Sequence, residues 1–190
     1  MRMQQAIAPG TVIDKRYQIQ KKIPDTTSNI CYLAEDTDQS NRLVVISFPR
    51  MELQTLPGFA STFEDVCQRL IKARLNGLIK VLDFGQYDSQ PYTLLQYVTH
   101  ETLESALAAR KNKSTKLSVD EVLDWARPLA VTLDELHEMD YVHSNVRPGV
   151  IFLGQKRQVL LGDFITELAI QRLGAFKQAI SSLDISDHLA

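Results

Sequence analysis

Four polar side chains in the last third of the chain, His143, Asn145, Arg147 and Asp163, set the limits on any chemistry it can do. Residues 143–153 read H-S-N-V-R-P-G-V-I-F-L, and residues 163–165 read D-F-I. An imidazole can move a proton, a guanidinium can hold a phosphate, and a carboxylate can hold a hard cation. The set is thin for each task. Asn145 is a carboxamide and cannot act as a base near neutral pH. Asp163 offers one carboxylate, a poor magnesium site by itself, and Val150 cannot ligate a hard cation. The other reading of Asp163 is a capping or backbone-bonded side chain. His143 is expected to be a packed, hydrogen-bonded core histidine rather than a base. His100, His137 and His188 show no metal-ligand spacing and are expected at the surface. A second D-F-G-like run, at residues 83–85, falls in a strand-like segment and reads as strand and turn.

Composition narrows the function classes. With 44% hydrophobic and 23% charged residues, the 190-residue chain can bury a core instead of remaining disordered. The net charge is −2 with Lys and Arg dispersed, which argues against nucleic acid or an anionic membrane as a charge-driven partner. No apolar run is long enough to span a bilayer, and the first ten residues carry no secretory h-region. Cys31 and Cys67 form no C-x-x-C pair and read as small core residues in a reduced, cytoplasmic setting.

These residues need elements to hold them. Alternation around Tyr17, Ile19 and Ile23, then residues 30–34 and 42–48, predicts three strands joined by polar turns. Phe59, Phe63, Val66, Leu70 and Ala73 line one face of a helix, closed by Asn76-Gly77. Residues 79–84 and 92–98 predict two further strands. The second half is helical: a short helix opens at Thr102. A longer one follows the S-x-x-E capping box at Ser118, with Val122, Ala126, Leu129, Leu133 and Leu136 on its core face and Pro128 inside it. Residues 150–153 and 158–161 read as a strand pair around a turn at 154–157, and the chain is helix-like after Asp163, through Leu168, Ile170, Leu173 and Phe176. Trp125 reads as core, and residues 110–116 as a solvated loop.

The element order and several landmarks together resemble the protein-kinase family, in its bacterial serine/threonine branch. Residues 9–17 (P-G-T-V-I-D-K-R-Y) look like its lead-in, 32–36 (Y-L-A-E-D) like the end of its second strand, and 44–47 (V-V-I-S) stand where the family has V-A-I-K. Gln96-Tyr97-Val98 resembles the hinge and Tyr141-Val142-His143 the entry to the catalytic loop. The resemblance runs from about residue 9 to about residue 165. It implies an α+β fold. A lead-in at 1–12 precedes a lobe at 13–98, five antiparallel strands and one helix, and a shortened, mainly helical lobe at 99–190 ends near the activation segment.

The same resemblance implies roles for substituted positions. Residues 23–32, in place of the glycine-rich phosphate loop, contain no glycine. Ser47 replaces the phosphate-contacting lysine, and Gln68 stands near its partner glutamate, with Glu64 as the rival register. Ser144, Asn145 and Val150 replace the loop arginine, the catalytic aspartate and the metal-holding asparagine, and Arg147 replaces the loop lysine. Asp163 alone remains of the metal ligands, with Ile165 where the family has glycine. The adenine pocket reduces to Cys31, Val45, Leu95 and Tyr97. These losses lead to the expectation of a pseudokinase: not an enzyme, without cofactor, acting in the cytoplasm through a protein partner or self-association, with no nucleic acid and no membrane. A nucleotide-binding switch is the alternative, followed by an enzyme of altered transfer chemistry using Asp163 and Arg147.

Overall fold

The fold is described from a computed structural model, which describes residues 6–99, 101–112, 116–154 and 158–174. The elements run β1 (Val12–Ile13), β2 (Tyr17–Lys22), β3 (Asn29–Asp36), β4 (Arg42–Pro49), α1 (Met51–Gln54), α2 (Phe59–Ala73), β5 (Val81–Tyr87), β6 (Gln90–Gln96), β7 (Glu101–Thr102), α3 (Leu103–Asn112), α4 (Val119–His137), a 3-10 turn (Pro148–Val150), β8 (Ile151–Leu153), β9 (Val159–Leu161) and α5 (Ile165–Arg172). The chain forms two compact units. The first comprises Met1–Ala73, Val81–Tyr97 and Ile165–Ala190; the second comprises Arg74–Lys80 and Val98–Phe164. Residues 74–80 thus group with the second unit, and α5 groups with the first.

In the first unit an antiparallel sheet has the order β1-β2-β3-β4-β6-β5. Side chains alternate between its faces with period two. One face carries Ile13, Tyr17, Ile19, Tyr32, Ala34, Val44, Ile46, Phe48, Tyr92 and Leu94, which form a single buried cluster. By the same alternation the other face carries Asn29, Cys31, Leu33, Val45, Ser47, Thr93 and Leu95. The β5–β6 hairpin turns through Asp88 and Ser89, both at positive φ, as a tight hairpin requires. Helix α2 buries Phe59, Phe63, Val66, Cys67 and Leu70, the face its spacing predicts, and it packs against α5.

Two sequence expectations change here. Five strands become six, because Val12–Ile13 pairs with Tyr17 and Gln18; a two-residue strand has no periodicity to read. The strand expected at 79–84 is Val81–Tyr87, since Ile79 donates its amide to Leu161 in the second unit instead.

In the second unit β7, β8 and β9 form a small antiparallel sheet, and α4 packs against β9. The Ser118 hydroxyl accepts from the Glu121 amide and the Glu121 carboxylate accepts from the Ser118 amide, so the capping box is complete. Pro128 does not break α4; the Thr132 hydroxyl donates to its carbonyl at 3.0 Å. The buried positions of α4 are Thr132 and Leu136. Of the five residues expected to form its core face, only Leu136 is buried, and Val122 is 44% exposed. The expected turn at 154–157 falls outside the described residues at 155–157, as do His100, Phe176, His188 and part of the 110–116 loop.

Candidate functional site

In the second unit, the loop before the 3-10 turn brings four of the chemistry-bearing side chains together. His143 is 1% exposed. Its Nε2 lies 3.0 Å from the Gly162 carbonyl, and its Nδ1 accepts from the Asn145 amide at 3.3 Å. The ring is therefore neutral, with the proton on Nε2. Burial pushes its pKa down to about 4, against the upward pull of the Gly162 carbonyl. It also lies 5.6 Å, centroid to centroid, from Phe164. With both nitrogens engaged, this imidazole is a structural pin, as the sequence suggested.

Asn145, Arg147 and Asp163 interact with one another. The Asn145 amide Nδ2 donates to Asp163 Oδ2 at 3.1 Å, Arg147 Nε donates to Asn145 Oδ1 at 3.2 Å, and Arg147 Nη2 lies 3.6 Å from Asp163 Oδ2. Backbone geometry sets this up: Ser144 and Asp163 both take left-handed conformations, with φ of 57° each, and the Val150 carbonyl accepts from the Gly162 amide at 2.9 Å. Val150 itself is buried and Ser144 is exposed. The arrangement does not suit a hard cation. Asp163 offers one carboxylate, and a guanidinium already supplies the positive charge beside it. Among the described residues no group of three or more His, Cys, Asp or Glu side chains gathers to hold a metal.

This geometry makes a direct prediction. Asn145→Asp replaces a donor at 3.1 Å with a second carboxylate, and like charges at that range disfavour ionisation of both. In chelator the variant should melt about 3–5 °C below wild type. Added magnesium or manganese should restore or exceed the wild-type melting point, read by scanning fluorimetry. A melting point indifferent to the metal would show that these side chains are not close together.

In the first unit Cys31, Val45, Ser47 and Leu95 share the sheet face opposite the aromatic cluster. Cys31 Sγ lies 3.7 Å from Ser47 Oγ, and the Thr93 hydroxyl donates to the Ser47 carbonyl at 3.4 Å. Cys31, Ser47 and Thr93 are buried, whereas Val45, Leu95 and Tyr97 are half-buried. Gln68 is exposed on α2 and donates to Glu64 Oε1 at 3.4 Å, so both registers considered for the partner glutamate point away from the buried face of that helix.

Sequence reasoning missed what covers the start of β3. The Ser28 hydroxyl donates to Glu167 Oε1 at 2.6 Å, and the Thr166 hydroxyl donates to Asn29 Oδ1 at 2.6 Å. All four residues are buried. The available signal was the polar pair Thr166-Glu167 inside the apolar run 165–170, since a buried carboxylate requires a partner.

Comparisons with known proteins cover most of the chain. The family model for protein tyrosine and serine/threonine kinase matches residues 31–176. A probable serine/threonine-protein kinase of Clostridium acetobutylicum is 23% identical over 155 residues, 82% of this chain and 23% of the relative. The serine/threonine-protein kinase PksC of Streptomyces coelicolor is 26% identical over 153 residues, 78% of this chain and 27% of the relative. The chain thus spans about a quarter of the length of these curated relatives. The solved PknI kinase domain of Mycobacterium tuberculosis has the same fold, with a TM-score of 0.72 at 21% identity over 85% of this chain and 62% of that one. A structure described as PpkA-294 in its apo form gives a TM-score of 0.73 at 19% identity, over 94% of this chain and 67% of that one. These findings overturn the expectation that the chain is not an enzyme: its relatives are named serine/threonine kinases, and no finding shows inactivity. The physical reason is that exchanged side chains at Ser47, Asn145 and Val150 change which groups are present without fixing a rate.

Proposed function

Because the chain belongs to the protein tyrosine and serine/threonine kinase family, we propose that it serves bacterial serine/threonine kinase signalling as a regulatory module whose state is set by a nucleotide. The carrying observation is an apolar row across the first unit's sheet. Leu33 pairs with Val45, and Val45 pairs with Leu95, so the three side chains stand side by side on one face. Val45 and Leu95 are only partly covered, and Tyr97 follows just beyond the end of β6. Such a row suits a flat, weakly polar ring like adenine, with the chain after Gln96 free of the sheet ladder to supply backbone hydrogen bonds. The magnesium that kinases use fits the described residues poorly, for the reasons given at Asp163, so the nucleotide reading does not rely on it.

Titration with ATP, in chelator and in magnesium, tests this reading by thermal shift. A saturable rise in melting temperature is expected, reflecting a stabilisation of about 2.7 kcal/mol at one hundred times the dissociation constant. Inorganic triphosphate should give a smaller rise. No shift at millimolar ATP would sink it. Phosphate transfer, the activity in the relatives' names, is measured in parallel by a radiometric assay.

A second reading, contact with a protein partner or a second copy, is favoured by the exposed valines of α4: Val119, Val122 and Val131 are 75%, 44% and 58% exposed. Light scattering across a concentration series tests self-association. The cytoplasm is the proposed location; among the described residues no helix is long and apolar enough to cross a membrane.

A further inference from the structure

A cavity of about 260 Å³ opens on the aromatic face of the first unit's sheet. Successive residues of β3 serve opposite faces, so Tyr32 lines the cavity while Cys31 and Leu33 stand on the other side of the sheet. Tyr32 and Phe48 are 2% and 1% exposed, and their rings meet edge to face at 6.1 Å between centroids. Both rings line the cavity. The segment before β1 forms one wall with the small residues Ala6 and Ala8. It is fixed there: the Ile7 amide donates to the Tyr32 hydroxyl at 3.1 Å, and the Gly10 amide donates to the Ile19 carbonyl at 2.7 Å. The β5–β6 hairpin supplies another wall through Tyr87 and the exposed Asp88.

We propose that this cavity binds a small organic amine, with the ammonium at Asp88 and the apolar body against the Tyr32 and Phe48 rings. Charge decides the sign of the ligand. Among the described residues that line the cavity Asp88 carries the one charge, and none is a lysine or arginine. An anion would meet that carboxylate with no base to offset it, whereas a cation is drawn to the carboxylate and to aromatic rings alike. Thr11, Tyr32 and Tyr87 also line the space, and their hydroxyls can accept from ammonium protons. Size decides the rest. The volume falls below the roughly 300 Å³ at which sites for drug-sized ligands begin, so the occupant is a single ring or a short chain. The site does not depend on the nucleotide reading, because it uses the opposite face of the sheet. It gives the first unit a small-molecule input of its own.

The test is an NMR titration of the whole chain with phenethylamine, set against phenylethanol and phenylpropionate, which keep the ring and change only the charge. Saturable shifts of the Ile7, Thr11 and Asp88 amides are expected with the amine, weaker ones with the alcohol and none with the acid. Asp88→Asn is the matching variant. Asp88 has a φ of 49°, and asparagine tolerates that left-handed backbone as aspartate does, so the hairpin keeps its shape. In this variant the amine should bind about three- to fivefold more weakly, the range for an exposed ion pair, and no better than the alcohol. No saturable shift with the amine, or equal binding of amine and acid by wild type, would overturn the site. Tighter binding of N-acetyl-lysine amide than of phenethylamine would assign the cavity to a partner's side chain and overturn the small-molecule reading.

Discussion

Gly77→Ala should strongly destabilise the second unit. A Cβ at this position would stand 1.6 Å from the Thr132 hydroxyl oxygen, 2.7 Å from Thr132 Cβ and 2.8 Å from its Cγ2. Neither side can retreat cheaply. Gly77 is tied by its carbonyl to the Leu161 amide at 2.8 Å, and the next link, the Ile79 amide to the Leu161 carbonyl, measures 2.9 Å. Thr132 is 3% exposed, and its hydroxyl is spent on the Pro128 carbonyl at 3.0 Å. Forcing a methyl group into such a contact costs about 3 kcal/mol or more, a large share of the roughly 5–15 kcal/mol that holds a domain together. Urea denaturation should show the loss, with proteolytic cleavage appearing first in the second unit. The double variant Gly77→Ala/Thr132→Ala should recover most of it, because the second change removes the colliding atoms. A single variant as stable as wild type would mean that 77–79 does not lie against α4.

Asp36→Ala should destabilise the first unit by about 3 kcal/mol, the order of cost for leaving one partner of a buried ion pair alone. The Asp36 side chain is fully buried. Arg16 grips it with two hydrogen bonds, Nε to Oδ1 at 2.7 Å and Nη2 to Oδ2 at 2.9 Å. The Asp38 amide adds a third at 3.3 Å, and Arg42 Nη2 lies 3.8 Å from Oδ2. The hydrogen bonds from Arg16 hold this carboxyl below the usual aspartate range, and burial opposes them only in part. A depressed folded-state pKa fixes the sign. The stability that it brings is fully present above the unfolded value of about 4 and disappears as pH falls through the folded value. Wild type should therefore lose more stability between neutral pH and about pH 3 than Asp36→Ala does. Urea midpoints measured across that range check it; parallel curves for the two proteins would refute the account.

The sequence carried the periodic parts of this molecule well. Strands β2, β3 and β4 follow from alternating apolar residues, the buried face of α2 from spacings of three and four, and the start of α4 from its capping box. What it carried less well depended on contacts between distant segments. The apolar stripe through Val122, Ala126, Leu129 and Leu133 gives the right helix but not its buried side, since β9 meets α4 at Thr132 and Leu136. Residues 26–29 read as a turn, and nothing local ties Ser28 or Asn29 to residues 139 and 137 positions later. Around the second unit's loop the residue types were legible and the wiring was not. That Asn145, Arg147 and Asp163 would bond with each other required the left-handed turns at Ser144 and Asp163, which side-chain types alone do not announce.

The sheet of the first unit also has margins, and any unpaired strand edge invites a neighbour to continue it. Short β1, extended by Gly10 and Thr11 bonding to Ile19, caps its own flank as far as Ile19. Beyond that the margin carries exposed Lys21 and Lys22 after an irregular register step. At the opposite flank β5 has its own break between Val81 and Asp83, with the Asp83 carboxylate facing out. Each border thus ends in charge and broken rhythm, so crowding of many copies is not rewarded by ladders running from molecule to molecule.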